Sequence, residues 1–141
     1  AGGCKLTEPN YSMRLKDLLD HKENPTKIDL ELLKIGRQFR LSNNSKIIST
    51  RTEQEGDLLE QLLTGEDLMF LAKDYNGSTV AIIGIAKDED IEFAARITGR
   101  YCKGREEENV SITYGKNDKS LDKSIDAMPA TQEQINNYII N

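Results

Sequence analysis

Three features of the 141-residue sequence predict an α+β fold: a mainly antiparallel sheet flanked by helices and preceded by a short helical lead-in. Short β-prone runs come in pairs joined by turn signals, Asn43-Asn44 in the first pair and Asn76-Gly77 in the second. Stretches rich in leucine and isoleucine at helical spacing separate the strand runs. The length is that of one domain, since about 100 to 150 residues is the commonest size, so helices and strands are expected to share one core.

In chain order, residues 1–10 contain Gly2, Gly3 and Pro9 and read as an extended or looped lead-in. Ser12 then precedes Met13, Leu15, Leu18 and Leu19, which predicts a short amphipathic helix ending near His21. Pro25 breaks the chain, and a second short helix is expected from about Asp29 to the stop at Gly36. Thr52 and Glu55 have capping-box spacing ahead of Leu58, Leu59, Leu62 and Leu63, so a helix should end at Gly65. Residues 67–73 and 79–85 read as an antiparallel hairpin around Asn76-Gly77. The longest helical pattern runs from Asp88 to Gly104, with acids at its start and Arg100, Lys103 and Arg105 at its end. A period-two strand over 109–114, a weak segment over 120–126 and a short helix from Thr131 close the pattern. The division this suggests is a junction segment over 1–26 and an α+β domain over 27–141.

The formal net charge is -5, and no apolar run approaches the roughly 18 residues a membrane span needs, so no membrane partner is expected. The start Ala1-Gly2-Gly3-Cys4 carries no basic or apolar leader, which reads as a cytoplasmic chain and a piece of a longer protein. Cys4 and Cys102 are far apart and His21 is the sole histidine, so no metal site is expected. Two reduced thiols are the simpler reading; one disulfide stays compatible with the sequence.

The acidic total hides an asymmetry. Residues 1–51 hold ten Lys or Arg against six Asp or Glu, a net of +4, and the remainder holds nine against eighteen, a net of -9. Within the first part, Lys34 to Arg51 contains Lys34, Arg37, Arg40, Lys46 and Arg51 and no acid. Phe39 and Leu41 alternate there with Gln38 and Arg40, Ile47 and Ile48 follow the turn, and the resulting hairpin is expected to present a basic face able to hold phosphates. The alternative is a solvated face paired with Glu53, Glu55 and Asp57. Exposed aromatics for base stacking are lacking beside it, which favours recognition of RNA shape and backbone.

Catalytic signals are few. No phosphate-binding glycine loop is present, so the chain itself should take no nucleotide cofactor. Cys4 is the one weak catalytic candidate, as a sulfur carrier; the alternative is a small buried residue at a domain junction. Cys102, on the apolar face of a helix, reads as core, and His21 as a helix C-terminal cap.

The run from Arg37 to Ile83 resembles the RNA-binding domain family NFACT-R in its F-R-L-S, K-I-I-S-T-R, E-Q-E-G-D-L-L, D-L-M-F-L-A and N-G-S segments. Arg51, Asp67, Ala72, Gly77 and Ser78 fit that pattern, whereas Leu71 stands where the family has His and Thr79 where it has Pro. The opening, with Gly2-Gly3-Cys4, Glu8-Pro9 and Arg14-Leu15-Lys16-Asp17-Leu18, is similar to the junction that follows the ATP-binding domain in bacterial PP-loop ATP pyrophosphatases of the tRNA thiouridine synthase type. Together these resemblances imply a non-catalytic domain that binds tRNA or other structured RNA. It would work beside an N-terminal PP-loop domain of the same polypeptide, which would use ATP and Mg. A structural or protein-docking domain is the competing reading.

Overall fold

The computed structural model describes residues 9–42, 45–116 and 121–140; Cys4 and the Asn43-Asn44 turn lie outside them. Helix α1 covers Pro9–His21 and α2 Lys27–Leu32; strands β1 Arg37–Ser42 and β2 Ser45–Ser49 precede α3, Glu53–Leu62. Strands β3 Leu68–Ala72 and β4 Val80–Gly84 follow, then α4 Asp88–Arg100, β5 Val110–Lys116, β6 Lys123–Ala127 and α5 Gln132–Asn136. The strands form one sheet in the order β1-β2-β4-β3-β5-β6, antiparallel at every step. The fold is therefore α+β, as its strand pairs and helical stripes predict.

Local chemistry sets the helix starts. Pro9 opens α1 three residues earlier than Ser12, because a first-turn proline has its φ preset and lacks only an amide that would be unpaired. For α2 the cap is Thr26, whose hydroxyl accepts from the Asp29 amide at 3.1 Å while the Asp29 carboxylate accepts from the Thr26 amide at 2.8 Å. Asp29 is thus the third residue of this helix and not its start. Thr52 caps α3 through the Glu55 amide at 3.1 Å. The Glu55 carboxylate turns outward instead of completing the box, and accepts from the amides of Arg51 at 2.7 Å and Gly36 at 2.9 Å.

Both faces of the sheet are covered. Phe39, Ile47, Phe70, Val80, Ile82 and Ile112 pack against Ala94, Ala95 and Ile97 of α4. On the other face Ile48, Met69 and Ala81 meet Leu32 and Ile35 at the end of α2 and Leu59 and Leu63 at the end of α3. All five residues of β2 are buried as a result. Asp67, which burial pushes above the usual carboxylate range, counters that cost by accepting from the Thr64 and Gly84 amides, each at 2.9 Å.

This double cover changes the reading of the first hairpin. Gln38, Arg40, Lys46 and Ile48 share one face, through the pairs Gln38↔Ile48 and Arg40↔Lys46. That face lies under α1 and α2. Arg40 donates from Nε to both carboxylate oxygens of Asp17, at 3.2 and 3.0 Å, and from Nη2 at 2.5 Å. Lys46 is 5 % exposed and donates to Gln38 Oε1 at 3.2 Å. The expected basic face on the hairpin is therefore an interior layer. Burial, first, and the neighbouring Arg40 push the Lys46 ammonium down to about 8.

Two long-range features close the fold. Gly36 takes φ +48, and a Cβ there would lie 2.1 Å from the Ser49 carbonyl oxygen; its own carbonyl accepts from Arg14 Nη2 at 2.5 Å. The outer edge of β1 is bonded to the C-terminal segment: Arg40 N donates to Tyr138 O at 2.9 Å, and Ile140 N to Gln38 O at 2.8 Å. α4 stops at Arg100, short of the expected Gly104, because Cys102 pairs with Gly77 across a single β-bridge.

Gly36→Ala is expected to cost about 2 to 4 kcal/mol of stability, from the clash with the Ser49 carbonyl and the positive φ together, read as a lowered denaturant midpoint at unchanged slope. Lys46 yields a pH prediction. Below about 8 the fold and the unfolded chain both hold its proton and the burial penalty is complete; between 8 and 10.5 only the unfolded chain does, so stability rises with pH across that window. Urea unfolding should show a rise of up to about 3 kcal/mol there in the native sequence, and Lys46→Met should remove it.

Candidate nucleic-acid interface

A cleft of about 1270 Å³ opens at one end of the sheet, where β2 ends and β4 begins. Its walls come from four places: the start of α3, residues 129–132 at the start of α5, the turn before β4, and the segment that follows α4. Close glycine contacts hold the last two together. A Cβ on Gly77 would stand 2.5 Å from Cys102 Cβ, and one on Gly104 would stand 2.5 Å from the Tyr75 ring. Ser78 N donates to Tyr101 O at 3.1 Å and Lys103 N to Asn76 O at 2.8 Å. Cys102 is buried as expected for core, its thiol donating to Gly99 O at 3.1 Å.

Arg37 and Arg51 both line this cleft. Arg37 shares its strand face with Phe39, the face toward α4, and its guanidinium carbon sits 4.1 Å above the Tyr101 ring centroid. Its Nη1 points to the Thr50 carbonyl at 3.5 Å. Burial, above all, and the nearby Arg51 lower its pKa, while Tyr101 and Glu55 oppose them. Arg51 is exposed, its backbone tied to Glu55. Hydroxyls tie the lining residues Thr50, Ser78 and Thr79 to the sheet: Thr50 Oγ1 donates to Thr79 O at 3.1 Å, and the buried Ser49 Oγ lies 3.1 Å from Ser78 Oγ.

Three further cations face the same space. Arg100, Lys103 and Arg105 line it beside Tyr101. Arg100 is anchored by donating to Ala130 O at 3.2 Å and Gln132 Oε1 at 2.6 Å; Arg105 is mostly exposed, with Glu106 3.9 Å away. The opposing carboxylates are Glu53, Asp57, Glu60 and Glu106, most of them on α3. A basic wall carrying one aromatic ring thus faces an acidic helix. Phosphates suit the guanidiniums, and the Arg37 plane in the cleft wall suits a base or ribose.

The five sequence-predicted binding residues therefore separate. Arg37 and Arg51 come together in the cleft, and Arg40 and Lys46 lie inside on the other face of the sheet. Lys34 is exposed just past α2, 3.4 Å from Glu31, and does not line the cleft. His21 sits at the end of α1 with Nδ1 2.7 Å from the Asp17 carbonyl, in keeping with a helix cap. Tyr101, Lys103 and Arg105 do not stand out as a site in the sequence, where the two cations read as charges that complement a helix end; the pattern Arg100-Tyr101-Cys102-Lys103-Gly104-Arg105, basic residues around an aromatic, is the signal that marks them. Among the described residues no cluster of His, Cys, Asp and Glu is arranged to hold a metal ion, and no helix is long and apolar enough to cross a membrane.

Comparison with solved structures finds the C-terminal part of the fibronectin/fibrinogen-binding protein from Streptococcus suis similar, with a TM-score of 0.67 at 16 % identity. The match covers 93 % of this chain and 66 % of that one, and at such identity it speaks for the fold. Comparison with curated proteins returned no match. The family model described as the NFACT protein RNA binding domain matches residues 36–139, a span that starts at Gly36 and takes in all six strands and the whole cleft. The chain belongs to that family of RNA-binding domains.

Proposed function

We propose that this chain is a non-catalytic domain that grips tRNA through the cleft and presents it to an ATP-dependent thiolation domain of the same polypeptide, in the cytoplasm. The observation that carries the reading is the Arg37–Tyr101 stack, flanked by Arg51, Arg100, Lys103 and Arg105 where the family match supplies RNA as the anion. The tRNA thiolation context rests on the similarity of residues 2–18 to the junction of PP-loop thiouridine synthases. ATP and Mg belong, on this reading, to the other domain, and the present chain takes no cofactor. Recognition is by backbone and shape: one ring and a guanidinium plane can engage one or two nucleotides, while a sequence-reading surface stacks several.

Electrophoretic or fluorescence titration with tRNA tests the RNA step. If four phosphates are neutralised, log affinity should fall with log salt at a slope of about -3 to -4. Arg37→Ala with Arg51→Ala should weaken binding by about tenfold or more and make the slope shallower by about one to two. Lys34→Ala should leave both unchanged. Equal affinity of the double variant and the native chain refutes the cleft as the RNA site. In the parent polypeptide the same double variant should lower thiolation of tRNA while leaving hydrolysis of ATP intact; unchanged thiolation refutes the presenting role.

A further inference from the structure

A second cavity, of about 250 Å³, lies on the opposite face from the cleft's Arg37, under α1 and α2, and is lined by Leu18, His21, Lys22, Asp29, Arg40 and Lys46 with Ile83 and Gly84. At about 30 Å³ per water it has room for a tetrahedral ion and part of its hydration. Its charges are mostly spoken for. Arg40 is clamped by Asp17 at 2.5 Å and Lys22 by Asp29 at 2.6 Å, so two pairs cancel. Lys46 is the exception: among the described residues its ammonium forms no ion pair, and its hydrogen bond goes to the neutral Gln38 Oε1. Gln38 is itself fixed by donating to Leu32 O at 2.6 Å and Ile35 O at 3.1 Å, so its oxygen can only accept and cannot turn away. The other charges that act on Lys46 are Arg14 and Asp17 from α1, Asp29 from α2 and Arg40 from β1. These four cancel in sign, Lys22 adds one positive charge and Asp67, bonded to Gly84 N, one negative, so the charge left over in the cavity is the Lys46 ammonium itself.

We propose that this cavity binds a small oxyanion of the phosphate type, with Lys46 at its base, Arg40 at its side and Lys22 and His21 at its mouth. The apolar walls Leu18 and Ile83 exclude water and so strengthen the attraction. A bound dianion supplies the counter-charge that the buried ammonium lacks, and holds its proton. The same chemistry fits a free phosphate and the terminal phosphate of an RNA. The site is separate from the RNA cleft, and its success or failure is independent of that reading.

Sulfate is the first probe, because its charge does not change above neutral pH. Calorimetric titration of the folded chain at pH 7 should give saturable binding, weaker by at least about tenfold at pH 9.5, where Lys46 has lost its proton. Lys46→Met should weaken binding about tenfold or more at pH 7, and Lys123→Ala, at an exposed position outside both cavities, should leave it unchanged. Binding by Lys46→Met equal to the native chain, absence of saturable binding at pH 7, or an affinity that ignores pH each overturns the proposal. Lys46→Gln serves if the methionine variant does not fold, and the pH profile of the native chain needs no variant. A ribodinucleotide with and without a 5′-phosphate is the second arm. A gain from the phosphate beyond the affinity for sulfate, lost in Lys46→Met, assigns the site to an RNA end; equal affinities assign it to a free anion.

Discussion

Covering both faces of one antiparallel sheet is the constraint from which the other features follow. A strand with helices above and below has no wet side, so each polar side chain on it must find its partner within the protein. β2 is such a strand, and the two cations beside its core residues obey the rule differently. Arg40 receives a carboxylate from α1, which makes its burial inexpensive. Lys46 receives an amide oxygen and keeps its charge uncompensated. The lead-in helix is consequently part of the structure and not an appendage, since Arg14 and Asp17 on it bond to Leu33, Gly36 and Arg40.

Gly36 is the junction where these demands meet. Its amide goes to Glu55 of α3, its carbonyl to Arg14 of α1, and its missing side chain lets the Ser49 carbonyl pass. Glu55 also holds the Arg51 amide, so one carboxylate sets the entry to β1 and the exit from β2. The cleft inherits its shape from that fixed point. Arg37 is the residue after Gly36 and Arg51 is bonded through Glu55, which puts two cations at the same end of the sheet as the turn containing Gly77 and the segment after α4.

Much of this was legible in the residues. The strand pairs, the Asn76-Gly77 turn, the Thr52 cap and the long amphipathic helix all depend on spacing within a few residues, and spacing is what a sequence displays. Placing Arg40 and Lys46 was harder. Alternation correctly assigns both to one face, but whether that face meets water depends on α1, about twenty residues away, folding back over it. Arg37 differs by a single step in that alternation and so emerges on the other face, against Tyr101. Tyr101, Lys103 and Arg105 went unrecognised because their role depends on a contact between Gly77 and Cys102, distant in sequence and carried by the absence of a side chain.

The bonding of β1 to residues 138–140 has a bearing on how the domain is made. Translation delivers β1 roughly a hundred residues before the segment that covers its outer edge, so on the ribosome that edge stays unpaired through most of the domain's synthesis. The inner partner, β2, comes at once, and the charged Arg40 and Lys46 on the face still awaiting its cover discourage pairing with stray strands. The same two cations that end up inside the fold would thus act as gatekeepers while it is incomplete.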